Sequence, residues 1–200
     1  MAGPYENSEA LVSVIIPCYN QAHFLEEAVE SVVHQSWPFV EIIVVDDGST
    51  DATRLIATKF NKVKYIYQEN KGVSRARNTG IKNSSGQFLV FLDSDDWLYP
   101  DAIATNIQYL LEKPYLAFVS GSYDFVNAES QLINETFNPI EANHYIKLLE
   151  GNYIGSPAAV MYQTWVFDHH EFDCTVDVCA DYDIYLNIAR NYPIFTKQKK

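Results

Sequence analysis

Short apolar runs punctuate the first half of the chain at Val12–Pro17, Val40–Val45, Val63–Tyr67 and Phe88–Leu92, each ending in turn-forming or acidic residues. Runs this short and rich in β-branched side chains predict buried strands. Between them the apolar positions change to helical spacing. Phe24, Leu25, Ala28, Val29, Val32 and Val33 share one helix face, and Leu55, Ile56 and Phe60 continue the pattern after Ser49-Thr50-Asp51. Val73–Ile81 predicts a third helix, and Asp101–Glu112 a fourth with Pro100 in its first turn. Strands that are apolar throughout, alternating with amphipathic helices, imply βαβ units. The expected fold is α/β, with a mostly parallel sheet covered by helices on both faces.

Beyond Pro114 the rhythm changes. Tyr115–Val126 predicts a strand, Asn127–Ser130 a turn, Gln131–Phe137 a returning strand and Ala142–Leu149 a helix. Ile184, Tyr185, Ile188 and Ala189 fall on one face of a last helix over Asp181–Asn191. No internal repeat, low-complexity tract or Gly/Pro/Ser-rich linker divides the chain. Residues 1–200 therefore read as one domain, regular over about 11–112 and less regular over about 113–200.

Composition narrows the function classes. With 200 residues, 48% hydrophobic and 20% charged, the chain suits a soluble globular domain, and none of its apolar runs is long enough to span a bilayer. Lys plus Arg number 14 against 26 Asp plus Glu, a formal charge of −12, which argues against nucleic acid or an anionic membrane as partner. The amino terminus lacks the basic-then-apolar pattern of a secretory signal. Cys18, Cys174 and Cys179 are an odd set too sparse for a disulfide framework, so a reducing cytoplasm is expected. His169 and His170 lie near Cys174 and Cys179 without zinc-ligand spacing, which leaves buried or idle thiols as the expectation.

The chemistry-bearing residues fall at the carboxyl ends of the predicted strands, where ligands bind in an open parallel sheet. The first strand runs into Pro17-Cys18-Tyr19-Asn20, the second into Asp46-Asp47-Gly48-Ser49, and the fourth into Asp93-Ser94-Asp95-Asp96. Any one cluster could be a cap or turn. Together on one edge, their carboxylates would raise one another's pKa values unless a hard cation or hydrogen-bond donors held them ionised. Two aspartates with one intervening residue can grip Mg²⁺ or Mn²⁺ and leave positions for phosphate oxygens. Asn70-Lys71-Gly72-Val73-Ser74-Arg75-Ala76-Arg77-Asn78 sets three basic residues at the start of the third helix, which favours an anion. Arg75 and Arg77 point to different sides of that helix, so at most one is expected to face a given ligand.

These segments, in this order and spacing, resemble the family 2 glycosyltransferases of the GT-A fold. The resemblance rests on Ser13–Asn20, Val44–Asp51, Gly72–Asn78 and Phe91–Asp96, covers about residues 11–112, and resumes at Ala180-Asp181-Tyr182-Asp183-Ile184-Tyr185-Leu186. It implies a Rossmann-like nucleotide-sugar-binding half and a less regular acceptor-side half. The implied donor-binding set is Pro17, Tyr19, Asn20, Asp46, Asp47, Lys71, Arg75, Asp93, Ser94 and Asp95. Within it Tyr19 lies against the base, Asp47 with Asp46 reads the uracil edge, Asp93 approaches the ribose or the metal, and Asp95 holds a divalent cation, Mn²⁺ or Mg²⁺, on the diphosphate. Asp181 matches the catalytic base, with Asp183 as its rival. Where the family has a Glu-Asp pair this chain has Ala180-Asp181, which leaves a supporting carboxylate missing. Trp97 is placed either to line the sugar pocket or to pack beneath it.

The resemblance further implies an inverting, metal-dependent transfer of sugar from a nucleotide diphosphate, UDP being expected, to a glycan, lipid-linked or protein acceptor. Such enzymes serve surface polysaccharide, glycolipid or glycoprotein synthesis, in the cytoplasm or peripherally at the cytoplasmic face of the membrane. Many family members continue past the position of Lys199-Lys200, so the chain is expected to be either a truncated unit or one domain of a longer protein. A non-catalytic nucleotide-sugar-binding module is the alternative from another class. A flavodoxin-like receiver built on an acidic pair fits neither Asp93-Ser94-Asp95 nor the long second half.

Overall fold

β1 (Val12–Cys18) is buried along its whole length and forms the spine of the molecule. It pairs in parallel with β2 (Val40–Asp47) on one side and β4 (Phe88–Phe91) on the other, and β2 pairs in parallel with β3 (Val63–Gln68). The structure, a computed structural model, describes residues 9–127, 130–136, 140–176 and 178–197. Alternation along the strands separates two cores. Val12, Val14, Ile16, Ile42, Val44 and Val90 pack on the face of α1 (Ala22–Val33) and α4 (Ala102–Glu112). Ile15, Ile43, Val45, Leu89 and Phe91 pack on the face of α3 (Val73–Lys82) and α6 (Ala180–Ala189). A short α2 (Thr53–Ala57) completes the regular half.

Gly80 explains how α3 comes so close to the sheet. A Cβ there would run into the side chain of Ile15, so only glycine lets the helix lie directly on β1. That contact carries the amino end of α3 to the carboxyl ends of β1 and β2.

The second half departs from the expected pattern. Tyr115–Val126 is not one strand: it breaks at Gly121-Ser122 into β5 (Phe118–Ser120), which joins the main sheet, and β6 (Tyr123–Val126), which pairs antiparallel with β7 (Leu132–Thr136) in a separate hairpin. The turn expected over Asn127–Ser130 and the strand end at Phe137 lie partly outside the described residues. α5 (His144–Glu150) and α6 fall where helices are expected. Two strands escape the sequence pattern, β8 (Val160–Gln163) and β9 (Phe195–Thr196). The sheet runs β3-β2-β1-β4-β8-β5-β9, with β8 antiparallel to both β4 and β5. Segments far apart in sequence thus extend the sheet opened by the βαβ units.

Candidate active site

The parallel register brings the ends of β1, β2 and β4 to one edge, with Cys18 beside Asp46 and Ile15 beside Phe91. Adjacent carboxylates there diverge because successive side chains of a strand point to opposite faces. Asp46 accepts from the backbone N–H of Ser49 at 2.8 Å and from the Tyr65 hydroxyl at 2.6 Å. Asp47 turns the other way and accepts from Gln68 Nε2 at 2.6 Å and from the backbone N–H groups of Lys71 and Gly72 at 3.0 and 2.8 Å. Both are buried. Asp47 therefore fixes the loop that opens α3. Gly48, at φ +82°, allows that loop to close: a Cβ there would sit 2.7 Å from the Asn70 nitrogen.

Side chains also join the loops to each other. Asn20, in the left-handed region at φ 55°, accepts from Thr50 N–H at 2.8 Å, and its own N–H donates to Ser49 Oγ at 2.9 Å. Asp51 accepts from Ala22 N–H at 3.0 Å and Thr53 N–H at 2.9 Å, holding the starts of α1 and α2 together. The Ser94 hydroxyl donates to the Gln21 side-chain amide oxygen Oε1, joining the β4 loop to the β1 loop.

The residues expected to bind donor thus divide in two. Pro17, Asn20, Asp46, Asp47 and Ser94 form the frame, Pro17 within β1 itself. Tyr19, Lys71, Arg75 and Asp95 are exposed, and Asp93 stands half-buried between the groups. Of the two arginines weighed from sequence, Arg75 faces solvent, whereas Arg77 is buried and donates from a terminal nitrogen to Asp93 Oδ1 at 2.8 Å. The implied donor-binding set contains Arg75 and not Arg77. A signal for it existed: Ser74, Arg77, Asn78 and Ile81 recur at the spacing of one helix face, the face α3 turns inward.

α3 also holds the second half. Asn78 Nδ2 donates to the Phe172 carbonyl at 2.8 Å, and Phe172 N–H donates to Asn78 Oδ1 at 2.9 Å. The Arg77 guanidinium lies over the Phe172 ring, 5.2 Å from its centroid. The segment pinned this way leads to α6, whose first turn carries Asp181. Burial pushes the Asp181 carboxyl above the ordinary aspartate range. Backbone N–H groups at the start of α6 and the Arg77 charge oppose that rise, and Asp93 adds to it. Asp181 therefore shares an electrostatic environment with Asp93 and Arg77. Asp183 faces elsewhere: it accepts from Asn187 Nδ2 at 3.0 Å, and burial and Asp173 raise its pKa. Ala180, in place of the family's glutamate, is buried in the core of that face. Cys174 Sγ touches Asn78 Nδ2 at 3.6 Å, and His170 packs edge-on against Tyr192.

The donor chemistry around Asp93 and Asp95 fits a hard divalent cation. These are carboxylate oxygens, and burial together with the charges of Asp93 and Asp95 pushes the neighbouring Asp96 carboxyl up to about 6, a crowding that a cation relieves. Among the described residues no three His, Cys, Asp or Glu side chains gather as a closed cage. Such an ion would complete its shell with water and phosphate oxygens, as Mg²⁺ commonly does.

In an open α/β sheet ligands bind outside the carboxyl ends of the strands, where these loops, a helix amino end and paired carboxylates converge. Comparison with known proteins is specific. Residues 13–169 match the sequence profile "Glycosyl transferase family 2", and the chain belongs to that family. It is 36% identical over 143 residues to glycosyltransferase GlyA of Streptococcus pneumoniae, a match covering 70% of this chain and 20% of GlyA. Among solved structures, S. aureus TarS 1-349 superposes with a TM-score of 0.75 at 22% identity, covering 95% of this chain and 58% of that one. TarS has also been solved with UDP and with UDP-GlcNAc. The mannosyltransferase PcManGT of Pyrobaculum calidifontis, in complex with GDP-Man and Mn²⁺, superposes at 0.70 with 21% identity, over 96% of this chain and 56% of that one. These superpositions establish the GT-A fold. The chain spans a fifth of GlyA's length and a little over half of each structural relative.

Proposed function

We propose that this chain carries the donor site and the base of an inverting, metal-dependent glycosyltransferase that moves a sugar from a nucleotide diphosphate, UDP foremost, to an acceptor hydroxyl. The observation that supports it most is the placement of Asp181: α3, through Asn78 and Arg77, ties the segment leading to this carboxylate to the same loops that bear Asp93 and Asp95.

In this reading Tyr19, exposed beside the framed loops, offers its ring to the base, and Asp47, besides holding Gln68, Lys71 and Gly72, accepts from the uracil edge with its remaining lone pair, while Asp46 holds the loop from the other face. Lys71 and Arg75, at the amino end of α3, attract the diphosphate together with the helix dipole. Asp93 and Asp95 would hold a divalent cation, Mn²⁺ or Mg²⁺, which when bound stabilises negative charge on the departing diphosphate. Arg77 holds Asp93 in position through their 2.8 Å ion pair. Asp181 takes the proton of the acceptor hydroxyl as that oxygen attacks the anomeric carbon from the face opposite the diphosphate. A single carboxylate acting once in this way inverts the anomeric configuration. The raised pKa of Asp181 makes it a stronger base than an ordinary aspartate.

A UDP relative among the structural neighbours supports the choice of nucleotide. The location we propose is cytoplasmic, with access to an acceptor glycan or lipid-linked glycan at the membrane face. Among the described residues no helix is long and apolar enough to cross a membrane, and Cys18, Cys174 and Cys179 are free thiols.

The test is a thermal-shift screen of nucleotide sugars with Mn²⁺, followed by product analysis of any transfer. UDP with Mn²⁺ is expected to raise the melting temperature, and transfer to yield the inverted anomer. A retained anomer would overturn the assignment of Asp181 as base. Binding without hydrolysis or transfer would favour the non-catalytic module.

A further inference from the structure

A cavity of about 500 Å³ opens on the α4 side of the acidic loop, within the roughly 300–1,000 Å³ range of small-molecule sites. It shares Asp95 with the proposed diphosphate site, but neither α3 nor α6 lines it. Two aromatic pairs from separate segments form its walls. Trp97 and Tyr99 follow the acidic loop, ring against edge at 5.0 Å, and Tyr123 and Phe125 stand on one face of β6 at 5.4 Å. The Tyr99 hydroxyl donates to Asp124 at 2.7 Å, which ties the two walls together. Phe125 is 52% exposed, an apolar ring turned to the cavity and not to the core.

We infer that this cavity is a saccharide subsite selective for uncharged sugars, a deepening of the proposed function that rests on it. Sugar rings present apolar C–H faces that settle on aromatic rings, and hydroxyls that need hydrogen-bond partners once buried. Here the rings come from the two walls and the polar partners from Asn106 and Asp124. Charge sets the selectivity. With Asp95 given to the cation, Asp96, Asp101 and Asp124 still line the cavity, and Lys197 is the one Lys or Arg among the described residues that does, so a uronate or phosphorylated sugar meets net repulsion. The adjoining Asp95 brings the occupant beside the reacting diphosphate. That occupant is either the donor's own sugar or the end of an acceptor glycan; the chemistry is the same, and the experiment separates the two.

The experiment is calorimetry on the full chain and on Phe125→Ala and Asn106→Ala, with UDP, UDP-glucose, UDP-GlcNAc, cellotetraose, chitotetraose, tetragalacturonate and choline as probes. An acceptor subsite predicts that a neutral tetrasaccharide binds without nucleotide and that both variants weaken it about tenfold, with UDP binding unchanged. A donor-sugar subsite predicts that the variants weaken a UDP-sugar by that factor and leave UDP alone unaffected. The inference is overturned if no sugar responds to either variant, if tetragalacturonate binds as tightly as the neutral sugars, or if choline binds more tightly than they do. Failure of UDP to bind while a neutral tetrasaccharide still does would remove the donor reading and leave the subsite standing.

Discussion

The two halves of the molecule are built by different means. Across 11–112 β1, β2 and β3 pair in succession through single helices and β4 returns beside β1, and the carboxylates at the strand ends are held by hydrogen bonds to nearby loops: Asp46 to Ser49, Asp47 to Lys71 and Gly72, Asp51 to Ala22 and Thr53. The later half is threaded into that frame from a distance. β8 inserts antiparallel between β4 and β5, and the segment before α6 is pinned by Asn78, 94 residues away in sequence. In the proposed function the frame fixes where a donor lies, and the threaded half brings the base to it. A rigid local scaffold with reacting groups delivered on longer connections lets the second half vary without disturbing the first.

This contrast can be broken at chosen residues. The largest effect is expected from Asp181→Asn, which should lower transfer by about 10²–10⁴-fold while UDP affinity stays within twofold, roughly the range for losing a general base. Full activity in that variant would mean that the threaded half does not supply the base. Asn78→Ala removes both bonds to Phe172 and should cost about 1–3 kcal/mol in chemical denaturation. It should also reduce transfer more than donor binding, because it loosens the base and leaves the donor loops framed. Equal losses in the two would contradict the division of labour. Tyr19→Ala should weaken UDP by about 1–3 kcal/mol, the scale of aromatic stacking on a base, without altering stability.

The smallest effect concerns pH. The folded pKa of Asp181 lies above its unfolded value, so the ionised carboxylate is a net burden on the fold at neutral pH. That burden is full above the folded pKa and disappears as pH falls to the unfolded value. Asp181→Asn should therefore be slightly more stable than the parent at neutral pH, with the gain shrinking in acid. The acid limb of the transfer rate should lie above the ordinary aspartate range, because Asp181 must be ionised to act.

How far the sequence could be read follows the same division. The strands and helices of the first half announce themselves through buried β-branched runs and one-sided helices such as Phe24 to Val33. β8 and β9 do not: each is short, lies among turns, and becomes a strand only because β4 and β5 offer it edges. In Tyr115–Val126 the aromatic and Val residues on both sides of Ser120-Gly121-Ser122 look like one run, and the small-residue triplet marks the break that sends one piece into the sheet and the other into a hairpin. In the site, the acidic clusters after β2 and β4 were legible by type and spacing, whereas Asp181 was singled out only through the family resemblance. The choice between Arg75 and Arg77 was not made by charge, which they share, but by which face of α3 turns toward Ile15 and the sheet. Asn78 stood inside a recognised motif, yet its partner is the backbone of Phe172, which no side-chain pattern reveals.

The central claim is that the donor and its metal are held by the first half while the base comes from the second. Titrating UDP in the presence of Mn²⁺ into the parent chain, Asp95→Ala and Asp181→Asn tests it most directly. Saturable binding that Asp95→Ala abolishes and Asp181→Asn preserves is the predicted result. Binding retained by Asp95→Ala, or lost from a folded Asp181→Asn, would contradict it.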